Sequence, residues 1–364
     1  MGQSPDSNSY NDNGEGVPFF QGNADFGERY PFTRIWCSEP VKMASSNDIL
    51  ISVRAPIGAI NYAKEDCCIG RGLAAITPDN SKVSSEFIFW LLKGKREELN
   101  RKGTGSTFKA IGRKVLEEML IPDISLKEQR EYSTILERVY RIIWVRKLEL
   151  QELDKLIKAR FVELFGVYPA NTMGWEIGTI RDVVTEVRYG SSRPATNGGK
   201  YPYLRMNNIT YGGELDLSDT KCIDIPDNEL DKCTVRRGDV LFNRTNSKEL
   251  VGKTCVYNRD EMMVLAGFVI RIRVKDCILP EFLSAFLNTD FSKKMLLGMC
   301  KTAIGQANIN AQELQNIGLY LPPVELQRRF VLFKKETEKS KAAIQKSLDE
   351  TQLLFESLMQ EYFG

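Results

Sequence analysis

RKGTGSTFKAIGRKVLEEMLIPDISLKEQREY at 101–132 and CKTAIGQANINAQELQNIGLYLPPVELQRRF at 300–330 are two versions of one passage. Each opens with a basic loop containing glycine, crosses a short amphipathic stretch, halts at a proline (Pro122, Pro322) and starts a helix. Working outward, other segments recur in the same order. NDILISVRAPIGAI from Asn47 returns as GDVLFNRTNSKELVG from Gly238. In both, an Asp precedes a short apolar strand that runs into a basic loop: Asp48 and Asp239, then Arg54 and Arg244. VPFFQGNAD (17–25) matches YPYLRMNNI (201–209), and both copies finish on an aromatic residue and a glycine, Phe165-Gly166 and Phe363-Gly364. The offset is 239 − 48 = 191 at the aspartates and 322 − 122 = 200 at the prolines, so the copies differ by insertions while keeping their order.

Residues 125–164 and 324–362 contain no Pro or Gly, which predicts two continuous helices of about 55 Å at 1.5 Å per residue. In the first, Leu136, Ile143, Leu150, Ile157 and Leu164 recur at intervals of seven, with Val139 and Leu153 beside them. In the second, Phe330, Phe333, Ile344, Leu354 and Leu358 form a weaker seam, interrupted by Thr337, Ser340, Ser347 and Thr351. An apolar stripe this long needs a covering partner. Pairing with each other, as an antiparallel coiled coil with a domain at either end of a stiff rod, is the economical solution. Ahead of each helix come strand-like segments broken by Gly, Pro and Asn, with amphipathic pieces at 86–99 and 281–296. That grammar predicts a mixed α/β (α+β) domain of roughly 125 residues. The expected organisation is a pseudo-two-fold repeat: domain 1–123, helix 124–166, linker 167–174, domain 175–323 and helix 324–364.

Composition excludes several classes of function. With 42% hydrophobic and 27% charged residues the chain can build ordinary cores. A net charge of only +2 means that any surface for nucleic acid is local. There is no His, which removes the commonest general base and metal ligand, and the eight Cys form no CxxC. They read as buried free thiols of a reducing compartment. No run of 18 apolar residues and no opening leader pattern is present, so a cytoplasmic chain off the membrane is expected. The GxxxxGK[ST] spacing of a phosphate loop is missing, and IGRG at 69–72 is not a dinucleotide fingerprint. Asp48 and Asp239 recur where an Asp most often caps a turn. A stand-alone enzyme is therefore disfavoured.

Two related domains on a rigid spacer suit the reading of two short DNA sites at a fixed distance, since duplex DNA turns once in about 34–36 Å. Arg, Asn and Gln pair with purine edges, while Lys, Ser and Thr hold phosphates. In the first copy the loop residues of these types are Gln21, Asn23, Arg54, Arg71, Lys102, Thr104, Ser106 and Lys109. In the second they are Arg205, Asn207, Asn208, Arg244, Asn246, Lys301, Gln306 and Asn308. Any one of them alone reads as a solvated surface residue; their recurrence in matching loops is the signal.

At this point the chain resembles the DNA-specificity subunits of type I restriction-modification systems along essentially its whole length. MGQSPDSNSYNDNGEGVPFFQG (1–22) is similar to the start of a target-recognition domain, and DILISVRAPIG (48–58) to its central strand and loop. GTGSTFKAI (103–111) and TAIGQANIN (302–310) resemble the loop that closes it. IPDISLKEQREY (121–132) and LPPVELQRRF (321–330) resemble the approach to the conserved helices, including Gln129 and Gln327. The resemblance implies a non-catalytic subunit that reads a split target in double-stranded DNA. Its partners would be methyltransferase subunits, two per chain, and restriction (nuclease) subunits. It implies no cofactor in this chain, S-adenosylmethionine for adenine-N6 methylation in the partner methyltransferase, and ATP and Mg in the partner nuclease. The specificity subunit of another phage-defence methylation system, or a coiled-coil scaffold that binds no DNA, are the alternatives. One departure is that WEIGTIRDVVTEVRYGSS (175–192) opens the second copy, whereas Met1–Ser4 aligns with Tyr189–Ser192. If the unmatched stretch is a core strand, the first domain is expected to be the less stable.

Overall fold

The computed structural model describes residues 1–105, 109–303 and 306–364, with 301–303 and 306 by backbone alone. The chain forms two compact units, residues 1–148 with 344–364 and residues 149–343.

In the first unit the strands are β1 (Tyr10–Asn11), β2 (Val17–Phe20), β3 (Trp36–Cys37), β4 (Met43–Ala44), β5 (Ile49–Ser52), β6 (Ile60–Tyr62), β7 (Cys67–Ile69) and β8 (Leu73–Ile76). They make a five-stranded sheet ordered β1-β3-β2-β7-β4, with β2 and β7 parallel, and a three-stranded sheet β6-β5-β8. All four residues of β5 are buried, because the strand is covered on both faces. Ile49 and Ile51 face a helical core with Phe87, Trp90 and Leu136, while Leu50 packs with Phe20, Cys67 and Leu73. Helix α1 (Ser85–Gly94) is buried from Phe87 to Leu92, as an apolar run without a polar face requires. Short helices α2 (Arg96–Lys102) and α3 (Arg113–Glu117) precede the long α4 (Leu126–Phe165).

In the second unit the strands are β9 (Ile177–Thr179), β10 (Val184–Tyr189), β11 (Tyr201–Leu204), β12 (Lys221–Ile223), β13 (Thr234–Val235), β14 (Val240–Asn243), β15 (Thr245–Asn246), β16 (Thr254–Val256), β17 (Met263–Leu265), β18 (Val269–Val274), β19 (Lys301–Ala303), β20 (Gln306–Asn308) and β21 (Gly318–Tyr320). The helices are α5 (Ile180–Val183), α6 (Asp227–Cys233), α7 (Pro280–Leu287), α8 (Asp290–Met299), α9 (Ala311–Gln315) and the long α10 (Val324–Phe363). The sheets run β10-β18-β14-β16, β12-β11-β17-β13, β15-β20-β19 and β21-β9, with β11 and β17 parallel.

The internal repeat is thus a repeat of structure, with β2/β7 answered by β11/β17, β5/β8 by β14/β18, and α1 by α7. Asp48 accepts the Ser45 N–H and the Thr77 hydroxyl; Asp239 accepts the Arg236 N–H and the Arg273 guanidinium. Both aspartates cap turns, as their position ahead of a strand suggested. Two residue pairings need correction. Ile111 donates to Val53 O and Ile309 to Arg244 O, so Arg244 is the counterpart of Val53 and Arg54 that of Thr245. Gln129 Nε2 donates to Ile124 O and Gln327 Nε2 to Pro322 O, so Pro322 answers Ile124 rather than Pro122. In both cases similar residue types a position or two apart drew the alignment off the backbone register.

The two 40-residue helices pack on one another inside each unit. In the first, Tyr132 stacks on Tyr362 at 4.0 Å and Tyr140 meets Phe355 at 5.7 Å. In the second, Phe161 and Phe165 meet Phe330, and Lys341 pairs with Asp154 at 2.7 Å. In each, low numbers of one helix meet high numbers of the other, so the pairing is antiparallel. The α4 seam lies where heptad spacing put it, with Leu136, Val139 and Ile143 buried and Leu150, Leu153, Ile157 and Leu164 half-buried. The α10 seam needs correction: Leu354 is 51% exposed, and Leu348 and Phe355 carry the contact. A step of ten from Ile344 to Leu354 falls out of phase with 3.6 residues per turn. Thr337 and Thr351 sit on the covered side by returning their hydroxyls to Phe333 O and Ser347 O, whereas Ser340 points out. Among the described residues all eight cysteines are free, and no helix is long and apolar enough to cross a membrane.

Each long helix is tied to its unit by a buried glutamine. Gln129 Oε1 accepts the Ser84 N–H at the start of α1, and Gln327 Oε1 accepts the Leu279 N–H at the start of α7. Gln129→Ala is expected to destabilise the first unit, and Gln327→Ala the second, by about 2–4 kcal/mol, because each strands a buried backbone donor and acceptor. Denaturant unfolding with unit-resolved hydrogen exchange reads this, and losses under 1 kcal/mol would contradict it. Lys93, held 3.7 Å from the Tyr140 ring, supplies a pH test. Burial pushes its ammonium down to about 8, with Glu28, Arg29, Glu137 and Lys147 around it. The unfolded chain keeps that proton to a higher pH, so folding is penalised below 8 and relieved as pH rises towards 10. Beyond that, Tyr62, pushed up to about 12 by burial, and Tyr140, also raised, reverse the slope. Lys93→Met should be more stable than the parent at pH 7 by about 2 kcal/mol. It should also lack the parent's gain between pH 8 and 10.

Candidate nucleic-acid interface

In the first unit, four of the sequence-selected residues meet in one polar cleft of about 250 Å³, although they come from three stretches of chain. Gln21, Asn23, Arg54 and Arg71 line it together with Ser4, Ser52 and the backbone of Gly22, Ala55 and Gly72. Strand pairing explains the convergence. Because β2 and β7 are parallel, their following loops leave the same edge, and Gly70 N donates to Phe20 O across them. The end of β5 pairs with the start of β8, and Val53 N donates to Gly72 O. Gly72 is required here, since a Cβ would lie 2.3 Å from Gln21 O. Arg54 and Arg71 are exposed; their main chains bond Ser52 Oγ and Ser4 Oγ, while among the described residues their guanidinium groups make no hydrogen bond or ion pair. The loop of Thr104 and Lys109 lies alongside: Thr104 and Arg54 each bridge to Ala110, and Lys109 O accepts the Ala55 N–H. Lys102 is exposed at the end of α2, paired with Glu98 at 2.7 Å. Ser106 lies outside the described residues.

The second unit builds the same edge with different side chains. Arg205 is held by Asp219, 2.9 Å away, and Arg244 donates to Asn308 Oδ1 at 2.9 Å while stacking on Tyr189. Asn207 is exposed. Asn246 spends its carbonyl on Ser247 N. Asn208 is buried; it accepts Arg205 N and donates to Asp216 O and Asp219 O, a turn cap with nothing left for a ligand. Lys301 and Gln306 belong to the β19–β20 hairpin, where the backbone of Lys301 pairs with Asn308 and that of Gln306 with Ala303. Lys253 and Lys293 clamp this edge from below by donating to Met206 O and Gly252 O. Burial pushes Lys293 down to about 8 and lowers Lys253 as well.

Sequence reading missed Ser4, Ser52, Asn243 and Thr245. Asn243 is the counterpart of Ser52. It is fully buried, and among the described residues neither polar atom of its carboxamide has a hydrogen-bond partner; the buried Thr245 Oγ1 and the Nε atoms of Arg205 and Arg244 likewise have none. These orphaned groups gather where the first unit has its cleft. The corrected register, Ser52 to Asn243 and Arg54 to Thr245, was the signal that finds them.

Comparison with known proteins follows the internal repeat. The family described as "Type I restriction modification DNA specificity domain" matches twice, at residues 2–155 and 173–351. The chain belongs to that family. A candidate type I restriction enzyme specificity subunit of Methanocaldococcus jannaschii (MjaX) is 43% identical over 158 residues, 43% of this chain and 37% of that protein. The EcoKI specificity subunit of Escherichia coli is 22% identical over 311 residues, 79% of this chain and 67% of that one. The chain therefore spans little more than a third of the first relative and about two thirds of the second. Among solved structures, the type I S subunit from M. genitalium matches 100% of this chain and 92% of its own at a TM-score of 0.59 and 14% identity, which shows a shared fold. Specificity subunits of this family are not themselves catalytic. Among the described residues, no cluster of Cys, Asp or Glu is placed to hold a metal ion.

Proposed function

We propose that the chain is the sequence-reading subunit of a type I restriction-modification complex, each unit contacting one half of a split target in double-stranded DNA. The observation that carries this is the cleft: Gln21, Asn23, Arg54 and Arg71 converge on one strand edge, and the same edge of the second unit again carries Arg and Asn. Guanidinium and carboxamide groups suit purine edges, while the flanking lysines and hydroxyls suit phosphates. Among the described residues the Arg54 and Arg71 guanidiniums have no carboxylate partner, which supports an electrostatic attraction to DNA that falls with salt.

In this reading the subunit carries no cofactor. It directs two partner methyltransferase subunits, which transfer a methyl group from S-adenosylmethionine to adenine N6, and nuclease subunits that use ATP and Mg. The work is cytoplasmic, since that is where such partners and the DNA meet. The test is co-expression with the partner methyltransferase in a host lacking adenine methylation, followed by mapping of N6-methyladenine. A split motif with a fixed spacer is expected. A complex that assembles and methylates without sequence preference would overturn the reading, and failure to bind either methyltransferase or DNA would favour a scaffold. Arg54→Ala should weaken duplex binding about tenfold, equivalent to ~1.4 kcal/mol, and relax preference in one half-site only. Arg244→Ala should relax the other half. A motif unchanged by both substitutions would remove these loops from the interface.

A further inference from the structure

The second unit contains a cavity of about 510 Å³ lined by the end of α4, the turn from α7 into α8, the loop at 211–214 and the first half of α10. Its walls are largely aromatic. Phe161, Tyr168, Phe286, Phe291 and Phe330 line it, and their rings brace one another: Phe161 meets Phe330 at 5.3 Å, while Tyr168 meets Phe286 at 5.7 Å and Phe291 at 5.2 Å. Side chains at native packing density leave few voids larger than a water molecule. A space of this size, walled by rings that hold each other in place, falls in the range of sites for small organic molecules, about 300–1,000 Å³.

Charge decides what kind of molecule fits. Four lysines and four carboxylates line the cavity. Lys158 pairs with Asp290 at 2.8 Å, Lys334 with Glu338 at 3.2 Å, and Lys341 with Asp154 and Glu214 at 2.7 and 3.1 Å. Those pairs use all four carboxylates. Lys293 is left, the one cation of the lining that has no carboxylate partner among the described residues. Its ammonium donates to Gly252 O and lies 5.5 Å from the Tyr211 ring. An ammonium carries three donors, so capacity remains. Burial first, and then the charges of Lys253 and Lys158, push it down to about 8, as befits a buried cation without an anion. Asn288, also in the lining, gives its amide N–H groups to Thr254 O and Ser284 O, and among the described residues its buried Oδ1 accepts nothing.

We propose that this cavity binds a small aromatic anion, with its rings against the aromatic walls, its charged group on Lys293 and an N–H or O–H of its own on Asn288 Oδ1. A neutral aromatic molecule would leave Lys293 buried without a counter-charge. An inorganic anion would leave the rings wet, and a cation would meet Lys293 with every lining carboxylate already paired. The inference concerns the second unit alone and does not depend on the DNA-reading role.

The test titrates the full-length chain with anilinonaphthalenesulfonate, an aromatic sulfonate with an N–H, and with N-phenylnaphthylamine, the same ring system without the sulfonate. Fluorescence should show saturable binding of one sulfonate per chain, with the neutral amine about tenfold weaker, the worth of one hydrogen bond to a charged group. On the unaltered chain the sulfonate should slow hydrogen exchange across α7 and α8, Pro280–Met299. Lys293→Met should lower the sulfonate to the affinity of the amine and leave the amine unchanged. Ala285→Trp, which fills the cavity from its lining, should abolish binding of both. Equal affinity of the two probes for the unaltered chain would overturn the proposal, as would the absence of saturable binding or protection confined to other segments. Sulfonate binding that neither substitution alters, in variants with an unchanged circular dichroism spectrum, would overturn it too, by placing the probe on surface patches.

Discussion

Two buried glutamines hold the architecture together. A helix of 40 residues with one apolar stripe can slide or rotate on its neighbours unless something fixes its first turn. Gln129 and Gln327 do that. Each carboxamide accepts the first N–H before a core helix and donates to a carbonyl five residues upstream of itself. The amide is used on both sides, so it can be buried without a desolvation penalty left uncompensated, and it locks phase as well as position. Once α4 and α1 are in register, Trp90, Tyr140 and Phe355 close into an aromatic cluster; once α10 and α7 are, Phe161, Phe282 and Phe330 do the same. Each long helix is divided between the two units, α4 after Leu148 and α10 after Ala343, so each core contains a stretch of both helices.

Most of this was legible in the sequence because it is periodic. The repeat, the two Pro- and Gly-free stretches and the α4 heptads are one-dimensional signals that the fold preserves. The α10 seam was harder to read: its covered side includes Thr337 and Thr351, whose hydroxyls bond back to the helix, so polarity gave no sign of burial. Leu354, apolar and exposed, misled for the opposite reason. The residues that line the candidate cleft were legible in composition and only partly in placement. Among the described residues the Arg54 and Arg71 guanidiniums are unpaired, as loop residues of that type suggest, while Asn208 is a cap. Asx caps and base-reading amides use the same side chain, and only the surrounding backbone separates them. The slips of register between Arg54 and Arg244, and between Pro122 and Pro322, came from matching residue types where the structure matches hydrogen bonds.

That last distinction explains how one scaffold carries two different edges. In both units the edge is fixed by main-chain bonds: Gly70 N to Phe20 O and Ala266 N to Leu204 O, Val53 N to Gly72 O and Arg244 N to Phe268 O, Ile111 N to Val53 O and Ile309 N to Arg244 O. None of these needs a particular side chain, apart from glycine where backbones approach as closely as Gly72 and Gln21. Ser52 can therefore stand where Asn243 does, and Arg54 where Thr245 does, without altering the sheet. The consequence is electrostatic. Among the described residues the first edge carries unpaired guanidiniums; at the second, Asp219, Asn308 and the Tyr189 ring hold Arg205 and Arg244. An arginine so held is prepaid in entropy and directional in its remaining N–H groups, whereas a free one attracts at longer range and discriminates less. If both edges meet DNA, the first is suited to capture and the second to selection, a division of labour that follows from which side chains the common backbone leaves at liberty.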